Sequence, residues 1–160
     1  KEYRRQRQMC IRDSGYIDAF TQWLTRIPEH YDVVVTSNMF GDIATDLASV
    51  LQGGMGMAGS GNIGDDHAFF EPVHGSAPKY AGMNKVNPIA SINSIQMMME
   101  WLGRKNNSQD ILDIATAIET SVSAHLAEGK HLTYDLGGDA TCSMVGDLIS
   151  RRLADILSEN

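Results

Sequence analysis

Asp32-Val33-Val34-Val35-Thr36-Ser37-Asn38-Met39-Phe40-Gly41-Asp42-Ile43-Ala44-Thr45-Asp46-Leu47 is the stretch on which the reading of this chain turns. The β-branched run Val33 to Thr36 predicts a buried strand, and Ile43, Leu47, Val50 and Leu51 then recur at helical spacing. The expected unit is a strand, a tight turn at Phe40-Gly41 and a helix opening at Asp42. Asp42 and Asp46 are one turn apart, so their carboxylates project from neighbouring points on one helix face. At the carboxyl end of a strand, where open α/β sheets bind ligands, two hard oxygen donors suit Mg2+ or Mn2+. Taken alone, such a pair is more often a dipole-favoured first-turn acid beside a solvated one, by about four to one.

The chain has 160 residues, 42% hydrophobic and 21% charged, which is enough for one ordinary globular core. A formal charge of −7 argues against a nucleic-acid partner and against an acidic membrane surface. The two cysteines, Cys10 and Cys142, have neither zinc spacing nor the density of a disulfide framework. A reducing compartment fits them, the cytoplasm first and an organelle matrix second. No apolar run is long enough to span a bilayer, and no signal-peptide pattern opens the chain.

Residues 1–14 are polar and basic, without a period, and are left unassigned. Ser14 is the expected cap of a helix through Ile17, Phe20, Leu24 and Ile27, ending at Pro28. The segment Gly53 to Gly64 has five glycines in its first nine positions and reads as a loop that lets backbone approach something closely. Its Gly54-x-Gly56-x-x-Gly59 spacing follows a helix rather than a strand, which argues against a dinucleotide fingerprint. Ala68 to Glu71 predicts a short strand, ended by Pro72. Asn87-Pro88 starts a helix that Gly103 stops, with Ile89, Ile92, Met99 and Leu102 inside and Met97 to Met99 filling gaps. Ser108 to Gly129 frames another helix, with Ile111, Ala115, Ile118, Val122 and Leu126 inside. His131 to Leu136 reads as extended, and Thr141 caps a last helix. His30, His67, His125 and His131 lack metal spacing and read as surface or capping residues.

Three blocks in order carry a resemblance: Asp32 to Leu47, Gly61-Asn62-Ile63-Gly64, and Glu71-Pro72-Val73-His74-Gly75-Ser76-Ala77-Pro78. They resemble the β-decarboxylating dehydrogenases, the isocitrate, isopropylmalate, homoisocitrate and tartrate enzymes. The likeness runs from about Tyr16 to the C-terminus and corresponds to the later part of such an enzyme. It implies an α/β, isocitrate/isopropylmalate dehydrogenase-like fold, present in part, over residues 15–160. Met9 to Ser14 departs from the family pattern, resembles a translated sequencing adapter and is assigned no function.

The resemblance also implies roles. Asp42 and Asp46 match metal ligands, and Asp18, in Tyr16-Ile17-Asp18-Ala19-Phe20, matches a third that a neighbouring subunit of a homodimer supplies. His74, Gly75, Ser76, Ala77, Lys79, Tyr80 and Asn87 match a loop around the adenosine half of a dinucleotide, and Tyr134 and Asp135 a further contact stretch. In similar enzymes a Lys-Tyr pair at Lys79-Tyr80 meets the 2′-phosphate of NADP, whereas NAD users place an acid at the lysine. An arginine that usually follows in NADP enzymes is replaced by Gly137-Gly138, which keeps NAD as the alternative. The substrate implied is a small 2-hydroxy acid, isocitrate first, with isopropylmalate or homoisocitrate as alternatives. A non-catalytic regulatory subunit is a further alternative. The family's catalytic lysine and tyrosine and its substrate-binding arginines lie in its earlier half, so this chain by itself is expected to be inactive.

Overall fold

The computed structural model describes residues 13–158. The expectations about Cys10 and about residues 1–12 fall outside them. The chain divides into two compact units, Lys1–Ala48 and Ser49–Asn160.

In the first unit, helix α1 spans Ile17–Arg26 and buries Leu24. Its N-cap is Tyr16, without a side-chain cap bond, so Ser14 does not cap it as expected. Past Pro28 the chain makes a short 3-10 turn, where Tyr31 packs edge-on against Phe20 at 5.0 Å. The strand expected at Val33 to Thr36 is absent: these residues join no ladder, and Val33, Val34 and Val35 are 84%, 46% and 92% exposed. A β-branched run is only a strand when another strand satisfies its backbone groups, and none among the described residues lies alongside. The expected turn at Phe40-Gly41 is absent too. Helix α2 begins four residues earlier than Asp42 and spans Asn38–Leu51, with the Gly41 amide donating to the Ser37 carbonyl. Its apolar stripe is exposed at Ile43 and Val50, and Ala44 faces inward.

In the second unit, the glycine-rich segment opens with a 3-10 turn at Met55–Met57 but does not remain a loop. Strand β1, Gly59–Ile63, pairs antiparallel with β2, Ala68–Pro72, with Gly61 opposite Phe70. The hairpin closes through the Gly64 amide donating to the His67 carbonyl. The glycines in β1 are there because helix α3, Ile89–Asn106, lies close on that face. A Cβ on Gly59 would stand 3.1 Å from the Ser94 amide nitrogen, and one on Gly61 3.0 Å from the Phe70 ring. Gly103 does not stop α3. The helix runs three residues further to a left-handed Asn107, and Gly103 is where Leu112 of helix α4, Gln109–Glu128, packs against it.

Helix α4 ends at Gly129 (φ 62°), as its pattern predicts, while Ser108 supplies the cap position without a side-chain bond. His131 to Leu136 is not extended throughout, because Tyr134–Leu136 forms a 3-10 turn. Helix α5 spans Cys142–Ser158 and is capped as expected, the Met144 amide donating to Thr141 Oγ1 at 3.3 Å. α3 packs on α4, α4 on α5, and the hairpin on α3. Met57, Ile89, Val122, Ala140, Val145 and Ile149 form the core, with Ile92, Leu126 and Leu136 against it. No helix among the described residues is long and apolar enough to cross a membrane.

Candidate functional site

The segment between β2 and α3 carries the residues expected to form a nucleotide loop, and two asparagines hold it down. The Asn84 side chain accepts from the Ser143 amide at 2.9 Å and donates to Ser143 Oγ at 2.8 Å, and its carbonyl accepts from the Cys142 amide. The exposed loop is thereby fastened to the first turn of α5. Asn87 is buried, one residue before the Pro88 cap of α3; its Oδ1 accepts from the Ile89 amide at 3.0 Å, and its Nδ2 donates to Asp135 Oδ2 at 3.0 Å. Asp135 also accepts from Thr133 Oγ1 at 2.5 Å. Asn87 and Asp135, two of the expected cofactor residues, are therefore bonded to each other and brace the loop from below. What the glycine-rich segment approaches closely is this pair: a Cβ on Gly56 would stand 2.6 Å from Asp135 Oδ2.

Above that brace, Tyr80 and Tyr134 meet, their rings 5.7 Å apart. The Lys79 ammonium lies 4.8 Å from the Tyr80 ring centre. Lys85, which the sequence reading did not single out as a site residue, lies 4.5 Å from the Tyr134 ring and 5.9 Å from that of Tyr80. Its signal was present in the Lys85-Val86-Asn87-Pro88 string, six residues after Lys79, yet only the fold around Asn84 and Asn87 turns it back toward Tyr134. The Tyr80 phenol is lowered from its ordinary value, first by a hydrogen bond from Tyr134, then by Lys79, with Lys85 adding in the same direction. The Tyr134 phenol is raised, first by that same bond and then by burial and the Asp135 charge.

The rest of the loop is half-buried or exposed. His74 Nδ1 donates to the Gly75 carbonyl at 2.9 Å, so in the neutral ring Nε2 is left as an acceptor. Gly75 and Ser76 are exposed, and Ala77 is left-handed (φ 45°) immediately before Pro78, a conformation that a proline disfavours in the residue before it.

In the other unit, Asp42 and Asp46 are exposed on one face of α2, a turn apart. Asn38 Nδ2 donates to Asp42 Oδ2 at 3.1 Å. Asp18 lies in the first turn of α1, its carboxylate accepting from the Ala19 amide. Among the described residues no three His, Cys, Asp or Glu side chains come together as a metal-holding group, so Asp18 does not join Asp42 and Asp46 within one chain. The donor chemistry of the α2 pair fits a hard divalent cation that takes its remaining ligands from elsewhere.

Of the histidines expected at the surface, His30, His67 and His131 are exposed. His125 is not: it is 2% exposed, on the inner side of α4, and its Nε2 is unpartnered. Burial pushes its imidazole below the ordinary value, with Arg152 adding to the shift and Glu128 opposing it.

Residues 5–149 match the family model described as isocitrate/isopropylmalate dehydrogenase. The homoisocitrate dehydrogenase of Methanocaldococcus jannaschii is 46% identical over 86% of this chain and 37% of its own length. The isocitrate/homoisocitrate dehydrogenase of Thermus thermophilus is 44% identical over 88% of this chain and 40% of its own. The crystal structure of isocitrate dehydrogenase from Methylococcus capsulatus aligns with a TM-score of 0.77 at 38% identity, over 86% of this chain and 39% of that one. The chain thus spans about two fifths of the length of these relatives. With both the family model and the fold in agreement over most of its length, this chain belongs to the isocitrate/isopropylmalate dehydrogenase family and carries part of that fold.

Proposed function

We propose that the chain is part of a metal-dependent dehydrogenase that oxidises a 2-hydroxy acid by passing hydride to NADP and then releases CO2, with isocitrate going to 2-oxoglutarate. The observation that carries the cofactor choice is the Lys79, Tyr80 and Tyr134 cluster, a cation and two phenols over a braced loop. A phosphate monoester carries about −1.5 to −2 charge at neutral pH and takes charge-assisted bonds from such donors. An acid at Lys79 would repel it.

In this reading Lys79, Tyr80 and Tyr134 bind the 2′-phosphate, and His74 Nε2 offers an acceptor to the adenine amino group. Asn87 and Asp135 orient the loop from beneath, since their polar atoms already bond each other and Ile89. Asp42 and Asp46, with Asp18 from a neighbouring subunit of a homodimer, would hold Mg2+ or Mn2+. When bound, such a cation supplies positive charge against the substrate's hydroxyl and carboxylate and against the oxyanion left as CO2 departs. The enzyme would act in the cytoplasm, without nucleic-acid or membrane partners.

A second reading, an NAD-linked homoisocitrate or isopropylmalate enzyme, is favoured by the Asp135-Leu136-Gly137-Gly138 string and by the name of the 46% identical relative. A regulatory subunit without turnover fits less well, because Asp18, Asp42 and Asp46 are all kept. Steady-state kinetics of Lys79→Asp in the full-length protein separate the cofactor readings. NADP as the coenzyme requires KM for NADP to rise at least about tenfold more than KM for NAD, the loss of one charge-assisted bond. Equal changes would refute the phosphate role.

A further inference from the structure

We infer that Lys85 is a second phosphate-binding cation, set against Tyr134 as Lys79 is set against Tyr80; this rests on the NADP reading above. The chemical group it takes is the ribose 2′-phosphomonoester. One ammonium neutralises only about half of such a dianion at neutral pH.

The turn after Tyr134 cannot supply the other half. Gly137 is left-handed (φ 83°), and a Cβ on Gly138 would stand 2.0 Å from the Leu132 carbonyl oxygen, so neither position accepts a long cationic side chain without rebuilding the turn. Lys85 comes from a different segment and reaches the same place. Asn84 on one side is tied to the start of α5, and Asn87 on the other is tied to Asp135 and α3, so the backbone between them is held at both ends. From there the Lys85 ammonium stands 4.5 Å from the Tyr134 ring and 5.9 Å from the Tyr80 ring, whose other neighbour is Lys79 at 4.8 Å.

Two like charges thus share one pair of rings. Neither lysine takes part in the ion pairs Arg104–Glu100 and Arg152–Glu128, and Asp135, the carboxylate that bears on Tyr134, is occupied by Asn87 and Thr133. Two ammonium groups and two phenols, converging where neither ammonium has an ion pair among the described residues, match a dianion with several acceptor oxygens. They do not match a neutral ribose diol, which needs an acceptor.

The test is calorimetric titration of the full-length protein with two probes, adenosine 2′,5′-bisphosphate and adenosine 5′-monophosphate. Lys85→Ala is expected to weaken the bisphosphate roughly ten- to a hundredfold, as loss of one charge-assisted bond does, and to leave the monophosphate within about twofold. Lys85→Arg, which keeps the charge, should retain most of the affinity. If Lys79→Ala weakens the bisphosphate and Lys85→Ala does not, the Lys85 assignment is overturned while the NADP reading stands. If the wild type shows no preference for the bisphosphate, both fail together.

Discussion

Replacing Asn87 by alanine tests whether the proposed nucleotide loop is braced from below. In the wild type the Asn87 side chain is 6% exposed and its amide is fully engaged, accepting from the first helical amide, Ile89, and bonding Asp135. Alanine removes both. The lost bond costs about 1 kcal/mol, because it leaves the amide of the 1% exposed Ile89 without its partner. The bond to a carboxylate is worth about 1.5–3 kcal/mol when buried, but Asp135 is exposed and water replaces part of it, so about 1 kcal/mol is the better figure. The sum is about 2 kcal/mol, plus a small cavity beside Met57. Urea denaturation of the full-length protein at fixed protein concentration reads it directly. A companion variant, Asn87→Asp, keeps an acceptor for Ile89 but places a carboxylate against Asp135, so it should recover stability as the pH falls toward 4. A loss below about 0.5 kcal/mol in Asn87→Ala would refute the brace.

Two further outcomes concern His125 and Gly138. His125 has its folded value below the unfolded 6.5, so the unfolded state binds the proton first. Its contribution is full above about pH 6.5 and is lost as the pH falls toward the folded value. Thermal melts of His125→Gln should therefore show a flatter decline just below pH 6.5 than the wild type, distinct from the loss below 4.5 that the Arg152-paired Glu128 produces. Gly138→Ala puts a Cβ 2.0 Å from a backbone carbonyl that cannot swing aside, and about 3 kcal/mol of destabilisation is expected in denaturant titration.

What could be read from the residues, and what could not, divides along local and non-local lines. The later helices were legible because their signals are local: Thr141 caps α5, Gly129 ends α4, and Asn87-Pro88 lies at the start of α3, although Pro88 is the cap and Asn87, one residue before it, accepts from the Ile89 amide. Val33 to Val35 misled because a strand is made by its neighbours, and the pattern of three valines speaks only of burial that some other segment must supply. The reverse error occurred at Gly59 and Gly61, where glycine content spoke for a loop. There the side chains are missing because Ser94 of α3 and Phe70 of β2 occupy the space. Gly103 likewise looked like a stop signal and is a contact point with Leu112. At the candidate site, the sequence named Lys79, Tyr80, Tyr134 and Asp135 through resemblance, but not that Asp135 is bonded to Asn87 or that Lys85 stands over Tyr134. Both are pairings between segments about 50 residues apart. His125 was misplaced because one histidine on an otherwise apolar helix face gives no sign of its depth.

The Asp42–Asp46 pair on α2 is the point on which the proposed metal-dependent reaction rests, and Mn2+ binding measures it most directly. Equilibrium dialysis of Mn2+ against the full-length protein should give binding that Asp42→Asn and Asp46→Asn each weaken tenfold or more, roughly one charge-assisted ligand each. Mn2+ binding unchanged in both variants, with turnover intact, would contradict the assignment.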